Sequence, residues 1–328
     1  MNFAFIFPAL VLLSFILTYL IRYIAIRHKV LDIPNERSSH SVPTPRGGGL
    51  AIVISWYIGI TILYIYKQFN KELYFALLTG ILLAVISLLD DLISLKPIIR
   101  LVAQSITAAL AFYILKGIHP LNINRINISN PLLLYPISII GIVWFINLYN
   151  FLDGIDAYAS VEALFLAAGM FIFTGNYINL ILIASITGFL FWNWPKAKIF
   201  MGDVGSTQLG FILVILGIYF HNNTDFNIIY WIMLSSLFWF DATFTLFRRW
   251  INRENLSQAH KKHAYQRIVQ AGFSHAKTVY FSLFINAIIL SLIFIAYKVE
   301  DLILPLLLIN VLLLYGITRL VDMKKAFR

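Results

Sequence analysis

PLLLYPISIIGIVWFINLYNFLDGID, residues 131–156, decides the fold. No charged residue interrupts it before Asp153, so its apolar body over 134–149 reads as a membrane-crossing helix. Polar groups then enter at one spacing: Asn147, Asn150 and Asp153 stand three apart, near one helical face. Gly154 frees the backbone as the helix ends, and Asp156 follows. Such side chains are costly against lipid, so that face turns into the protein or a wet cavity. Asparagines that only glue helices together are the plainer alternative, but glue requires no pair of aspartates beside it.

Working outward, apolar runs recur along the whole chain. Eleven membrane spans are predicted, near 3–26, 48–66, 72–89, 99–116, 134–149, 161–174, 177–194, 207–220, 228–247, 277–297 and 301–319. The chain is 60% hydrophobic and 12% charged, against about 25% charged in a soluble domain, and its mean hydropathy is +0.82. A soluble core of that size would lack a polar coat. The expected fold is an all-α polytopic membrane protein of about eleven transmembrane helices. It reads as one integral membrane domain, 1–328, with no soluble domain, long linker or repeat. The first 26 residues lack the pattern of a signal peptide and read as the first span. Cysteine is absent, which excludes disulfides, thiolate metal sites and cysteine nucleophiles.

Lysine and arginine set the expected orientation. With the N-terminus outside, 20 of the 25 fall on inner loops, leaving Lys67, Lys71, Lys116, Arg125 and Lys298 outside. The net charge of +10 therefore reflects topology and an anionic substrate, with no nucleic acid implied. Asp90, Asp91, Asp153, Asp156 and Asp203 fall on the same inner face, with Arg46, His260 and His263. The positive-inside rule asks for bases there, so five converging acids point to an active site facing the cytoplasm.

Several short segments carry this chemistry. Asp90-Asp91 closes the third span, where acids oppose the helix dipole; the pair is either a solvated stop or a site for a cation or general base. In NWPKAKIFMGDVGS, residues 193–206, two glycines flank Asp203 and let backbone approach a ligand. Ser206 is a candidate cap for the next span, with free N–H groups turned toward an anion; a capped loop with an incidental aspartate is the alternative. PTPRGGG, residues 43–49, suits phosphate oxygens through Arg46 and its glycines, or is simply a flexible loop. His260 and His263 in HKKHAYQR have no Cys or HExxH partner to support zinc, and read as a donor-rich surface for phosphate or sugar, or as plain surface charge. Glu162 reads as a helix-start acid, and Asp241 as a partner of Arg248 and Arg249.

In order along the chain stand DxPNxRSxHxxPTPxxGG (32–49), DD (90–91), NxxNxxDGxD (147–156), FMGDxGS (200–206) and HxxHxYQ (260–266). This set resembles the polyprenyl-phosphate N-acetylhexosamine-1-phosphate transferases, glycosyltransferase family 4, which includes the peptidoglycan enzyme MraY and the glycan-initiating WecA. The likeness runs from about residue 31 to 267. It is most similar to the O-antigen branch typified by WbpL, since HxxHxYQ departs from the contiguous three-histidine form of the peptidoglycan enzymes. The resemblance implies transfer of a HexNAc-1-phosphate from a UDP-sugar to polyprenyl (undecaprenyl) phosphate, with release of UMP. That step initiates a lipid-linked glycan, O-antigen or a related envelope polysaccharide, at the cell inner membrane. It implies Mg²⁺, with Mn²⁺ substituting, held by Asp203 and Asn150. It implies a UDP-HexNAc donor lined by Asn193, Phe200, Gly154 and Asp156, with Asp153 nearest the diphosphate. Asp90 would handle the lipid phosphate, with Asp91 as its partner or a metal-site residue; Arg46, His260 and His263 would hold substrate. A homodimer is compatible with it. Ala157 stands where the family's commoner residue is glycine, a difference that matters if the position needs positive φ.

Other classes use some of the same residues. An ion- or lipid-coupled transporter also carries intramembrane acids, but near the midplane and often in inverted repeats. An intramembrane aspartyl protease needs GxGD, where this chain has Phe200-Met201-Gly202-Asp203. A membrane scaffold has no need of five clustered acids.

Overall fold

Helix follows helix wherever the apolar runs lie. The computed structural model describes residues 3–34, 42–124, 126–256, 258 and 260–327, so Asn35, Arg37, Ser38 and His40 of the first motif lie outside the described residues. α1 (Phe3–Arg27) leads through an antiparallel ribbon of β1 (Leu31–Asp32) and β2 (Thr44–Pro45) into α2 (Gly49–Ile65). α3 (Lys71–Leu78) and α4 (Gly80–Ile93) share one apolar run, and α5 (Pro97–Ile114) follows. A hairpin of β3 (Leu121–Ile123) and β4 (Ile126–Ile128) precedes α6 (Pro131–Phe151), α7 (Tyr158–Thr174), α8 (Ile178–Asn193) and α9 (Asp203–Asn223). α10 (Ile228–Leu234) and α11 (Ser236–Ile251) meet at a 71° bend. α12 (Ala264–Gln270), α13 (His275–Lys298) and α14 (Ile303–Lys324) complete the chain.

Among the described residues, seven of these runs are long and apolar enough to cross a membrane, eight if α10 and α11 form one broken span. The three other predicted spans coincide with α2, α7 and α8, apolar helices of 17, 17 and 16 residues. The protein is an all-helical, multi-pass membrane protein.

α9 is the centre. In its most apolar stretch 89% of residues are buried, against 17% for α1, and it packs on α2, α4, α6 and α7. It begins at Asp203, earlier than the predicted 207, because Gly202 takes the capping position at φ +77°. The outer helices turn large apolar side chains outward, including Phe5, Tyr113, Phe284 and Leu320. Lipid offers such helices no hydrophobic reason to associate, so close packing and polar pairs set their register. Ser14 on α1, for example, donates to the backbone oxygen of Ser185 on α8 at 2.6 Å.

The helix ends sort the polar chemistry. One end of the bundle gathers the C-termini of α4, α6, α8 and α11 with the N-termini of α5, α7, α9, α12 and α13. The opposite end is tied by Lys116 with Glu72 at 2.5 Å, and by Asn124 Nδ2 donating to the Asp301 backbone oxygen at 3.0 Å.

Candidate active site

Asp91, on the last turn of α4, faces the first turn of α9. Its carboxylate oxygens accept from the N–H groups of Asp203 and Val204, both at 3.3 Å. The anion expected at this helix start is thus supplied by the protein, where the helix dipole favours it. Ser206 is not the cap; it lies within α9 and donates to Asn150 Oδ1 at 2.6 Å. Gly202 is required twice over, by its positive φ and because an added Cβ would lie 3.0 Å from Asp91 Oδ2. Asp90 accepts from the Leu95 N–H and from Arg100 Nη1, each at 2.7 Å. The same Arg100 nitrogen stands 3.5 Å from Asp203 Oδ2. Asp90 and Asp91 are both buried, so the pair is no solvated stop to a span.

The glycine-rich turn before α2 is zipped to this centre. Gly48 and Gly49 donate to the backbone oxygens of Phe200 and Met201 at 2.9 and 2.8 Å, so these two amides are engaged and do not face a phosphate. Arg46 donates from Nη2 to the backbone oxygen of Asp91. Asn150, Asp203 and Arg100 line one cavity of about 40 Å³, together with Gln104 and Asn147, which pair with each other through their amides.

Asp153 departs from the helical face predicted for it. α6 ends at Phe151, and Asp153 lies in the turn beyond, half-buried, its carboxylate without a hydrogen-bond partner among the described residues. Burial, then the charges of Asp203, Asp91 and Asp156, push its pKa up to about 7. Asp156 accepts from the Ala197 N–H at 3.2 Å and lies 3.1 Å from His275 Nδ1. Asn193 is committed to protein groups: Oδ1 accepts from the Ala157 N–H and Nδ2 donates to the Ile199 oxygen, each at 3.0 Å. It therefore ties the 153–157 turn to the loop carrying the partly buried Phe200. A Cβ at Gly154 would collide with Tyr265 Oη, which donates to the Phe151 oxygen at 3.2 Å. Ala157 has φ +64°, the left-handed region, so the position does make the conformational demand that glycine meets most easily.

The histidine loop closes over this turn. Asp241 accepts from the N–H groups of Ala264 and Tyr265 at 2.8 and 3.4 Å, at the start of α12. Its expected arginine partners go elsewhere: Arg248 pairs with Asp322 at 2.9 Å and Arg249 with Glu254 at 3.1 Å. His263 is buried at 2% exposure, 3.8 Å from Asp241, and stacks on Tyr265, which stacks on Tyr158. His260 remains partly open, its ring 4.8 Å from that of His263. Burial, with His263 and Arg249 nearby, pushes the His260 pKa down to about 3, so it offers a neutral ring near pH 7.

The model for glycosyl transferase family 4 matches residues 73–221. A probable undecaprenyl-phosphate N-acetylglucosaminyl 1-phosphate transferase of Bacillus subtilis is 32% identical over 92% of this chain and 86% of its own length. The chain belongs to glycosyltransferase family 4. An undecaprenyl-phosphate alpha-N-acetylglucosaminyl 1-phosphate transferase of Thermotoga maritima is 28% identical over 85% of this chain and 88% of its own length. A phospho-N-acetylmuramoyl-pentapeptide-transferase of Streptococcus uberis is 30% identical over 64% and 69%. This glycosyltransferase is thus a phospho-N-acetylhexosamine transferase, and the transporter and protease readings fall.

The family implies Mg²⁺, and the donor set suits it. Among the described residues there is no group of three or more His, Cys, Asp or Glu side chains that could hold a metal. Mg²⁺ needs no such cage, taking one or two carboxylates, waters and substrate phosphates. Asp203 and Asn150 offer oxygens on one cavity. Two residues of the candidate site escaped the sequence reading. Arg100 looked like one more inner-loop charge, and His275, a lone histidine at a helix start, has no motif around it.

Proposed function

We propose that this transferase moves N-acetylglucosamine 1-phosphate, or a close HexNAc relative, from its UDP-sugar to undecaprenyl phosphate at the cytoplasmic face of the cell membrane. UMP leaves, and the lipid-linked sugar starts an O-antigen or related envelope glycan. The observation that carries this reading is the single cavity shared by Asn150, Asp203 and Arg100, with the Asp153 carboxylate close enough to feel the Asp203 charge. The donor is favoured by likeness: the two N-acetylglucosaminyl relatives match 92% and 85% of this chain, the muramoyl relative 64%. In this reading α2, α7 and α8 cross the membrane with the longer helices, giving eleven spans.

The reaction is direct displacement. An oxygen of the lipid phosphate attacks the β-phosphorus of the UDP-sugar, and the bond from that phosphorus to UMP breaks. Phosphate monoesters lose their second proton at a pKa of about 6, so much of the acceptor is already dianionic near pH 7. Such transfers depend mainly on positioning and charge stabilisation, so a phosphoenzyme would add a step for little gain. Asp90 and Asp91 have their oxygens engaged by Arg100, Leu95 and the α9 amides. Asp153 is the carboxylate left to take the remaining proton of a monoanionic acceptor. Arg100 is placed to pair with acceptor phosphate while holding Asp90. Mg²⁺, when bound at Asp203 and Asn150, supplies positive charge to the diphosphate. Phe200 and the Gly154–Asp156 turn hold the uridine, and His260 meets the donor while His263 supports it from within.

The deciding assay combines purified protein, undecaprenyl phosphate, Mg²⁺ and a panel of UDP-HexNAc donors, and measures UMP release. UDP-GlcNAc or a 6-deoxy HexNAc donor should be used and the muramyl-pentapeptide donor refused. Efficient use of the muramyl donor, or UMP release without lipid and with sugar-phosphate trapped on the protein, overturns the reading.

A further inference from the structure

Away from the carboxylate cluster, α7 and α13 share one polar pair. Glu162 is 1% exposed and Asn286 is 0% exposed. Asn286 Nδ2 donates to Glu162 Oε2 at 2.6 Å. The other oxygen of each residue, Glu162 Oε1 and Asn286 Oδ1, is buried without a hydrogen-bond partner among the described residues. An ionised carboxylate and an amide oxygen are both acceptors only, so neither can satisfy the other. No lysine, arginine or histidine forms an ion pair with Glu162 among the described residues. One proton resolves both defects. Placed on Oε1 and donated to Asn286 Oδ1, it closes a ring of two hydrogen bonds between acid and amide.

We propose that Glu162 is a neutral carboxylic acid paired in this way with Asn286, and that the pair positions α13 so that His275 braces Asp156 at the donor site. α7 and α13 both start at the end that holds the carboxylates. Glu162 is four residues into α7 and Asn286 eleven into α13. That offset of seven residues, roughly 10 Å at helical rise, carries the start of α13 past the start of α7 and over the 153–157 turn. There His275, the first residue of α13, meets Asp156. Apolar helix surfaces in lipid do not fix register. A directional polar pair does. The positioning part rests on the donor-site reading of Asp156; the protonation part does not.

The test compares Glu162→Gln with Glu162→Leu in the full chain. A glutamine amide can donate to Asn286 Oδ1 and accept from Nδ2, so Glu162→Gln should keep the wild-type melting temperature and KM for UDP-GlcNAc. Glu162→Leu should raise that KM about tenfold, the equivalent of one lost good hydrogen bond, with kcat little changed. In a His275→Ala background the same change should add little. If Glu162→Leu fails to fold, the Glu162→Leu/Asn286→Leu double variant leaves no polar atom unpaired and replaces it. Infrared spectra of the protein without substrate should show a protonated-acid carbonyl band that Glu162→Gln removes. Absence of that band, or a melting temperature that falls as far in Glu162→Gln as in Glu162→Leu, overturns the neutral pair. An unchanged donor KM in the leucine variants overturns the positioning role. The infrared and thermal readouts need no substrate, so they stand even where the donor assignment fails.

Discussion

Ala157 carries a conformational cost that its own side chain creates. At φ +64° its Cβ crowds the following carbonyl, and Asn193 fixes its N–H in that geometry. Relief of that strain, about 1–2 kcal/mol, is offset by the flexibility glycine gives the unfolded chain and by the methyl lost from a fully buried site, so Ala157→Gly should leave the melting temperature in detergent close to wild type. Asp203→Asn keeps the shape and removes the charge, so turnover should fall by roughly 100-fold or more while protein yield holds. A near-normal rate at ordinary Mg²⁺ concentration counts against Asp203 as ligand. Asp153 gives a pH signature. Its pKa is raised to about 7, above the second pKa of the lipid phosphate at about 6, so it can take the proton of a monoanionic acceptor. A dianionic acceptor needs no base, so the loss of kcat/KM in Asp153→Asn should be largest below about pH 6 and should shrink as pH rises. A loss of the same size at every pH removes Asp153 as the base. Residue types at these positions were legible in the sequence, but their engagements were not. Nothing local to Asn193 says that its polar atoms meet the Ala157 N–H and the Ile199 oxygen.

At the scale of elements, hydropathy located the helices because lipid demands apolar side chains over their whole length. It could not say that α9, a short run in the sequence reading, is the buried axis of the bundle. That depends on its glycines and on an anion at its first turn, and the anion is Asp91, 112 positions earlier in the chain. The pairing predicts that Asp91→Asn weakens the join between α4 and α9. An amide oxygen can meet one of the two α9 N–H groups while its NH₂ repels the other, and the negative charge at the dipole is lost. A loss of about 1–2 kcal/mol is expected, seen as a lower melting temperature. A melting temperature equal to wild type would show that the cap contributes nothing. A second join works in the same manner at α14. Asp322 accepts from Arg248 at 2.9 Å and Arg267 at 2.5 Å, and Arg267 is 3% exposed at its side chain. Removing one partner of a buried pair strands the other charge, so Asp322→Ala should destabilise by roughly 3 kcal/mol and loosen the histidine loop. Unchanged proteolytic sensitivity around residues 252–263 would set that link aside.

For the whole molecule, the open question with a sharp answer is which end faces the cytoplasm. The fold gathers the carboxylates, Arg100 and the histidine loop at one end, and a nucleotide-sugar donor must be able to reach that end. In the proposed topology it is the inner one, the placement that the positive-inside rule favours with 20 of 25 lysines and arginines on the loops assigned there. The absence of cysteine in the sequence makes the test clean, because each introduced thiol is the only one in the chain. Lys96 and Lys196 are exposed beside the carboxylate end, and Lys116 and Lys298 are exposed at the other. In intact cells a membrane-impermeant maleimide should label Lys116→Cys and Lys298→Cys and spare Lys96→Cys and Lys196→Cys. Opening the membrane should then make all four react. Labelling of Lys196→Cys in intact cells would turn the carboxylate end outward, away from the donor pool, and the proposed reaction could not run on UDP-sugar as this topology requires.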